Sequence, residues 1–278
     1  MSEQATMAAR GTEGIHAQSK LRDMRYVMSG HHCHSYYELF YLETGRCRFL
    51  INESIHDLQA GDFILIPPFA LHYTRYLFGA CRRTIVMFRR QDVSEETLAL
   101  MPGREDFLAG VRIFQAPAAH QRQLAASLNR LIDEERIDDG FSDAMRSNRL
   151  QELFLLCSRF CVFLRDQPSD IRTTDPHMLH AARFIGAHYM HPITTADIAR
   201  DVGFSPNYLS RRFRQTTGVG LHEYLVFIRL HHAALELVST RDSITTIAFR
   251  CGFSDSNYFK DAFKKKYGIT PRDYRNRK

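Results

Sequence analysis

Ile198-Ala199, Gly203-Phe204-Ser205, Tyr208-Leu209, Phe213, Gly218 and Tyr224 return downstream as Ile247-Ala248, Gly252-Phe253-Ser254, Tyr258-Phe259, Phe263, Gly268 and Tyr274. The copies lie 49 residues apart as far as the serine and 50 from the tyrosine on, so one residue is inserted where the second long helix of the second copy begins. Self-similarity at this distance marks a repeated supersecondary unit. In the first copy Thr194, with Asp197 three residues on, has the form of an N-cap with an acidic N3, opening a short helix over 196–201. Gly203 supplies the positive φ that stops it. Ser205 then caps a new helix, with Pro206 at its first position, where the missing N–H costs nothing. Leu209 and Phe213 are four apart and share the core face, which leaves Asn207, Ser210, Arg211 and Arg214 on the other. The second copy predicts Ser243 and Ser254 as caps, Phe259 and Phe263 inward, and Ser256, Lys260, Lys264 and Lys265 outward. Two short helices about a glycine turn, the second polar and basic, are the signature of a helix-turn-helix.

The charge sits where a phosphate-binding surface requires it. Residues 171–278 carry 17 Lys+Arg against 9 Asp+Glu, a net of +8, whereas residues 1–170 carry 20 against 22, a net of −2. A chain of 278 residues is long enough for two domains with separate cores. It has no run of 18 apolar residues, so no membrane partner is expected. The first residues lack an apolar signal region, so the expected location is cytoplasmic and residues 1–22 read as a disordered tail. The six cysteines show no CxxC spacing and are expected to be reduced thiols.

Residues 194–275 resemble the DNA-binding domain of the AraC/XylS family of bacterial transcription regulators. The likeness runs from Ala196 to Pro206, through Tyr224, Arg229, Ala233 and Ile244, to Gly252-Phe253-Ser254, Tyr258-Phe259, Phe263-Lys264-Lys265, Gly268, Thr270-Pro271 and Tyr274-Arg275. It implies an all-α domain over 176–278, with helix-turn-helix units at 194–217 and 243–267. One long helix over 221–238 would present both recognition helices to one face of promoter DNA. By the same resemblance Asn207, Ser210 and Arg211, and then Ser256, Asn257 and Lys260, face the bases. Arg214 and Lys264 complete the DNA-binding set, and RNA polymerase is a further expected partner. Asp261 departs from the family, which usually has arginine there.

Ahead of this domain the texture is β. Strands are predicted over 36–43, 46–52, 55–59, 62–67, 73–78 and 84–88, with 111–115 as a last one. Short strands with closely spaced turns argue a sandwich or barrel. The period then becomes helical over 120–138 and 142–166, with Leu124, Leu128, Leu131 and Ile132 followed by Leu150, Leu153, Phe154, Cys157, Phe160, Cys161 and Leu164. The break at Asp139-Gly140 makes residues 119–166 a helical hairpin. Its second helix is apolar around much of its circumference. It is expected to hold a homodimer together, with burial against its own chain as the competing reading. Residues 167–175 are polar, contain Pro168 and read as an interdomain linker.

The β region carries its own constellation. His32-Cys33-His34 is followed by Glu38 and Gly45, and later by Gly61-Asp62, Pro67 and His72. This resembles both cupin motifs, departing from them at Phe69, where a glycine is usual, and at Tyr76, where an asparagine is usual. The fold implied is a two-domain chain: an N-terminal cupin-like β-barrel over 23–118 followed by the helical hairpin, then the all-α domain with two helix-turn-helix motifs. In cupins the matching positions bind a divalent metal, which would make His32, His34, Glu38 and His72 ligands of Zn, Ni, Fe or Mn. Strand alternation lets His32, His34 and Glu38 share a face. AraC-type sensor domains also keep parts of this pattern without requiring a metal, the same pocket holding a small effector, frequently a sugar. Both readings stay open, with Tyr36, Tyr41, Arg46, Arg48, Tyr73 and Arg75 as candidate walls of an effector pocket. The expected function is transcription regulation in response to a sugar or related metabolite, with no required cofactor and no enzymatic activity. The competing reading is a metal-dependent cupin enzyme carrying a DNA-binding tail. The four apparent ligands favour it, and the lack of an evident acid, base or nucleophile set beside them opposes it.

Overall fold

Alternation along the strands builds the N-terminal half from two antiparallel sheets. The computed structural model describes residues 14–26, 34, 36–51, 54–68, 70, 72–103, 107–137, 139–164 and 175–276. The strands are β1 (His16–Arg22), β2 (Tyr37–Leu42), β3 (Arg46–Ile51), β4 (Ser54–Gln59), β5 (Asp62–Ile66), β6 (His72–Phe78), β7 (Cys81–Phe88), β8 (Arg112–Gln115) and β9 (Val162–Leu164). The larger sheet runs β1-β7-β2-β5-β8-β9 and the smaller β4-β3-β6. The strands β2, β5 and β7 are apolar on both faces because both are covered. Phe40, Leu42, Ile64, Ile66, Ile85 and Met87 meet Cys47, Phe49, Ile51 and Tyr76 of the smaller sheet. Leu39, Tyr41, Phe63, Leu65, Val86 and Phe88 turn the other way, towards helices. Among the described residues no ladder joins the two sheets, so the arrangement is a sandwich where a closed barrel was expected. The turns at 43–45, 60–61 and 79–80 carry the chain from one sheet to the other and interrupt the hydrogen bonding.

Residues 16–22, expected to be tail, are an edge strand. They pair with β7 from His16↔Met87 to Arg22↔Cys81. Ile15 and Ala17 are buried, and Glu135 accepts a hydrogen bond from the Ala17 amide at 3.0 Å.

A short α1 (Glu95–Ala99) precedes α2 (Ala118–Glu134) and α3 (Ser142–Phe160), which pack on each other and cover the larger sheet. Leu124, Leu128 and Leu131 from α2 and Leu150, Leu153, Phe154 and Cys157 from α3 share one core with Phe63, Phe88 and Phe114. The Phe154 ring lies edge-on to Phe88 at 5.4 Å. The stripe expected to serve a dimer is therefore core of its own chain. The helix also ends earlier than residue 166. Val162–Leu164 pairs with β8, and Phe163 stacks on Phe114 at 4.8 Å. The run Val-Phe-Leu suits a strand, and pairing covers an edge of β8 that would otherwise be open.

The C-terminal domain comprises α4 (Pro176–His188), α5 (Thr195–Val202), α6 (Pro206–Thr217), α7 (Leu221–Ser239), α8 (Ile244–Arg250), α9 (Ser256–Tyr267) and α10 (Pro271–Arg275). Of the expected linker, residues 167–174 lie outside the described residues. Asp175 is no linker residue: it is buried, caps α4 by accepting from the Met178 amide at 3.3 Å, and pairs with Arg212 at 2.8 Å. Among the described residues no helix is long and apolar enough to cross a membrane.

Candidate functional site

Local chemistry sets the two recognition helices. Thr194 and Asp197 form a reciprocal capping box, the Thr194 hydroxyl accepting from the Asp197 amide at 3.2 Å and the Asp197 carboxylate from the Thr194 amide at 2.9 Å. Gly203 ends α5 in the left-handed region at φ 78°, and Ser205 and Pro206 begin α6. Leu209 and Phe213 are fully buried, Asn207, Arg211 and Arg214 are exposed, and Ser210 is half-buried. In the second unit Ser243 caps α8 as expected, but Asp255 rather than Ser254 caps α9, accepting from the Asn257 and Tyr258 amides at 2.6 and 3.4 Å. The residue inserted between the copies thus supplies the cap. Asn257, Lys260 and Lys264 are exposed beyond it, Ser256 is half-buried, and Asp261 is exposed beside Lys260. The long α7 belongs to both units. Tyr224, Leu225 and Ile228 enter the first core, whereas Leu230, Ala233, Ala234 and Leu237 enter the second.

The second site lies at one end of the sandwich. His34, Glu38 and His72 each bring a ligand atom within 4.8 Å of the others. Glu38 is inward on β2 and His72 opens β6, while His34 stands in the approach to β2. His34 Nδ1 donates to the Tyr36 carbonyl at 2.8 Å and His72 Nδ1 to the Ala70 carbonyl at 2.9 Å. A carbonyl only accepts, so these bonds place the ring proton on Nδ1 and turn each Nε2 to Glu38 Oε2, at 3.1 and 3.7 Å. Burial alone raises the pKa of the Glu38 carboxyl, but the two imidazoles beside it outweigh that and hold it well below the usual carboxylate value. Burial pushes the His34 imidazole down, against the pull of Glu38. His32 lies outside the described residues.

Of the expected pocket walls only Tyr36 stands beside this group, its ring stacked on His34 at 4.0 Å. Tyr41 faces the helices and Arg46 is exposed. Arg48, Tyr73 and Arg75 sit on the outer face of the smaller sheet, because β3 turns Cys47, Phe49 and Ile51 inward and β6 turns His72, Thr74 and Tyr76 inward. Thr74, Tyr76 and Arg83 do face the interior and were not among the candidates. Counting by twos from His72 finds the first two.

Residues 19–154 match the model of an AraC-like ligand binding domain, and residues 198–277 that of a helix-turn-helix domain. The transcriptional activator RhaR of Mannheimia succiniciproducens is 26% identical over 252 residues, which span 88% of this chain and 87% of that protein. The activator RhaS of Citrobacter koseri is 25% identical over 249 residues, spanning 88% and 86%. The chain belongs to the AraC/XylS family of transcription regulators, with an N-terminal sensor domain. Among solved structures it is similar to the C-terminal domain of AraT, a response regulator from Geobacillus stearothermophilus, at 35% identity and a TM-score of 0.36, covering 37% of this chain and 87% of that one.

In this AraC/XylS-family chain the two domains share a core. Leu50, Ile55 and Tyr73 of the smaller sheet pack with Met178, Leu179, Phe213 and Tyr224. Arg48 is paired in two places with Asp57 and donates to the Thr216 carbonyl at 3.4 Å. Gly218, which ends α6 at φ 86°, has the Tyr73 ring against it: a Cβ there would fall 2.6 Å from the ring edge.

Proposed function

We propose that the protein binds promoter DNA through α6 and α9 and senses a small effector, a sugar or related metabolite, between its two sheets. The observation that carries this reading is strand β6, on which His72 faces the interior group and Tyr73, the next residue, faces Gly218 at the end of α6. An occupant that draws β6 inward moves the contact that holds the first recognition helix. Occupancy then shifts the population of arrangements in which both recognition helices fit the DNA. The relatives RhaR and RhaS are named activators. We extend that direction to this chain, acting in the cytoplasm as a homodimer that engages RNA polymerase. Sensing is proposed over catalysis because the shared core gives occupancy a route to DNA.

Selection of random duplexes on the full chain tests this. It should enrich a sequence with two contacted segments about 34 Å apart on one face, one helical turn. Enrichment of no sequence would sink the reading. Within such a site, Arg211→Ala should weaken binding by about 1–3 kcal/mol and relax preference at one base pair, since a guanidinium bonds guanine O6 and N7 together. Uniform weakening across all sequences would instead make Arg211 a phosphate contact.

The interior group fits a divalent metal. Two imidazoles with Nδ1 already committed to carbonyls, and one carboxylate held ionised, are a donor set suited to Zn, Ni, Fe or Mn. His34, Glu38 and His72 would hold the ion, which would act as a Lewis acid towards effector oxygens. Purified protein should then carry about one metal ion per chain, and His34→Ala should lose it, as read by elemental analysis. Metal-free protein that still responds to its effector would reduce the three residues to pocket wall.

A further inference from the structure

Two arginines of the sensor domain are buried, and they are neutralised differently. Arg48 has the Asp57 carboxylate on both Nε and Nη2. Arg83 is 8% exposed and points from β7 into the space between the sheets, opposite Leu42 on β2 and Lys20 on β1. Its Nε donates to the Tyr76 hydroxyl at 3.0 Å, and its Nη1 is buried with no hydrogen-bond partner among the described residues. A guanidinium stays charged at any pH a protein meets, and a buried charge without a counter-charge is costly. Among the described residues neither interior carboxylate pairs with Arg83: Glu38 lies with the two imidazoles, and Asp62 accepts from the Gln59 amide through Oδ2 at 2.9 Å. Cationic residues stand beside Arg83 instead, on β1. Lys20 is the register partner of Arg83, and Arg22 is opposite Cys81, its guanidinium 4.2 Å over the Tyr26 ring, which meets Tyr76 edge-on at 6.0 Å.

We infer that the effector is an acid, a small polyhydroxy carboxylate such as a sugar acid, whose carboxylate pairs with Arg83. This rests on the proposed sensing role of the sandwich interior and names the chemistry it selects. The carboxylate accepts from Arg83 Nη1 at the end of the interior lined by β1 and β7. The hydroxylated body extends along β6, past Thr74, towards His72 and Glu38. Tyr76 holds the guanidinium by its Nε and leaves the outer nitrogen to the ligand, so the tyrosine that replaces the usual cupin asparagine is a positioning residue for the arginine.

The test uses the full chain, wild type and Arg83→Met, with D-glucuronate, D-galacturonate and D-gluconate as probes and D-glucose and D-galactose as neutral counterparts. Thermal shift and calorimetry should find at least one acid that binds wild type while its neutral counterpart does not. Arg83→Met should weaken that acid by roughly 10- to 100-fold, the worth of a hydrogen bond to a charged group. Without ligand, Arg83→Met should melt no lower than wild type, because methionine keeps the buried stem and removes the uncompensated charge. The inference is overturned if none of the acids binds wild type, if acid and neutral sugar bind alike, or if an acid binds both proteins equally. A neutral sugar that binds both proteins and alters DNA affinity would remove the acid and leave the regulator standing. An acid bound through Arg83 with no effect on DNA affinity would strike the regulator reading instead.

Discussion

Leu153→Glu should abolish the folded sensor domain, giving a protein that melts early and aggregates, not a folded monomer. Leu153 is fully buried in a core with Phe88, Phe107, Phe114 and Phe154. Removing a leucine side chain from such a site costs about 2–5 kcal/mol before any charge is added. An unpaired carboxylate in the same place adds several kcal/mol of desolvation, or remains protonated and still wastes a packed position. The sum competes with the whole stability of a typical domain, about 5–15 kcal/mol. Leu155→Glu is the control. It sits on the same helix at 39% exposure, and should change stability by no more than about 0.5 kcal/mol. Thermal melts and size-exclusion chromatography separate the cases. A soluble, folded Leu153→Glu monomer would return the stripe to the role of a subunit interface.

The DNA-binding half was legible because its determinants are local. Capping pairs such as Thr194 and Asp197 act within one turn, and inward pairs such as Phe259 and Phe263 are four residues apart. The one slip there, Ser254 for Asp255, came from the residue inserted between the copies, which makes two adjacent cap-forming side chains compete for one position. In the sensor half the strands that were missed, β1 and β9, are edge strands whose pairing depends on partners far along the chain. Their sequences contain no signal that names those partners. The apolar circumference of α3 was visible, but periodicity cannot tell whether a stripe meets its own sheet or another subunit. Most of the wall residues were misplaced for a simpler reason: Arg48, Tyr73 and Arg75 lie one residue out of step with His72 along the pleat, and a shift of one reverses the face. Arg83 fell outside the strand predicted over 84–88, whereas the strand starts at Cys81. Only the sheet packed over it reveals that it is buried.

Phe263→Ala should cost about 3–5 kcal/mol and dissolve the second helix-turn-helix while the first survives. The two units have different supports. The first shares its core with the sensor sheet through Leu50, Ile55 and Tyr73, so many contacts outside the unit hold it. The second relies on the C-terminal part of α7, on Tyr189 after α4 and on itself: Leu230, Ala233, Ala234, Leu237, Ile247, Ala248, Phe253, Phe259 and Phe263. Phe263 is central there, its ring 5.5 Å from Phe259, 4.4 Å from Tyr267 and 5.3 Å from Tyr274. Alanine would open a cavity beneath α9 and release α10 with it. Stability losses in one weakly coupled unit appear as local unfolding ahead of the global transition. Hydrogen exchange should therefore show protection lost over α8 to α10 and kept over α5 and α6. Footprinting on a selected site should shrink from two successive major grooves to one, with affinity falling as the contacts proposed for Asn257 and Lys260 are lost. Phe213→Ala makes the opposite prediction: it weakens the core that Tyr73 enters, so it should also reduce the response of DNA binding to the effector. A Phe263→Ala protein that melts in one transition at the wild-type temperature and protects both grooves would show that the second unit is not held by this core.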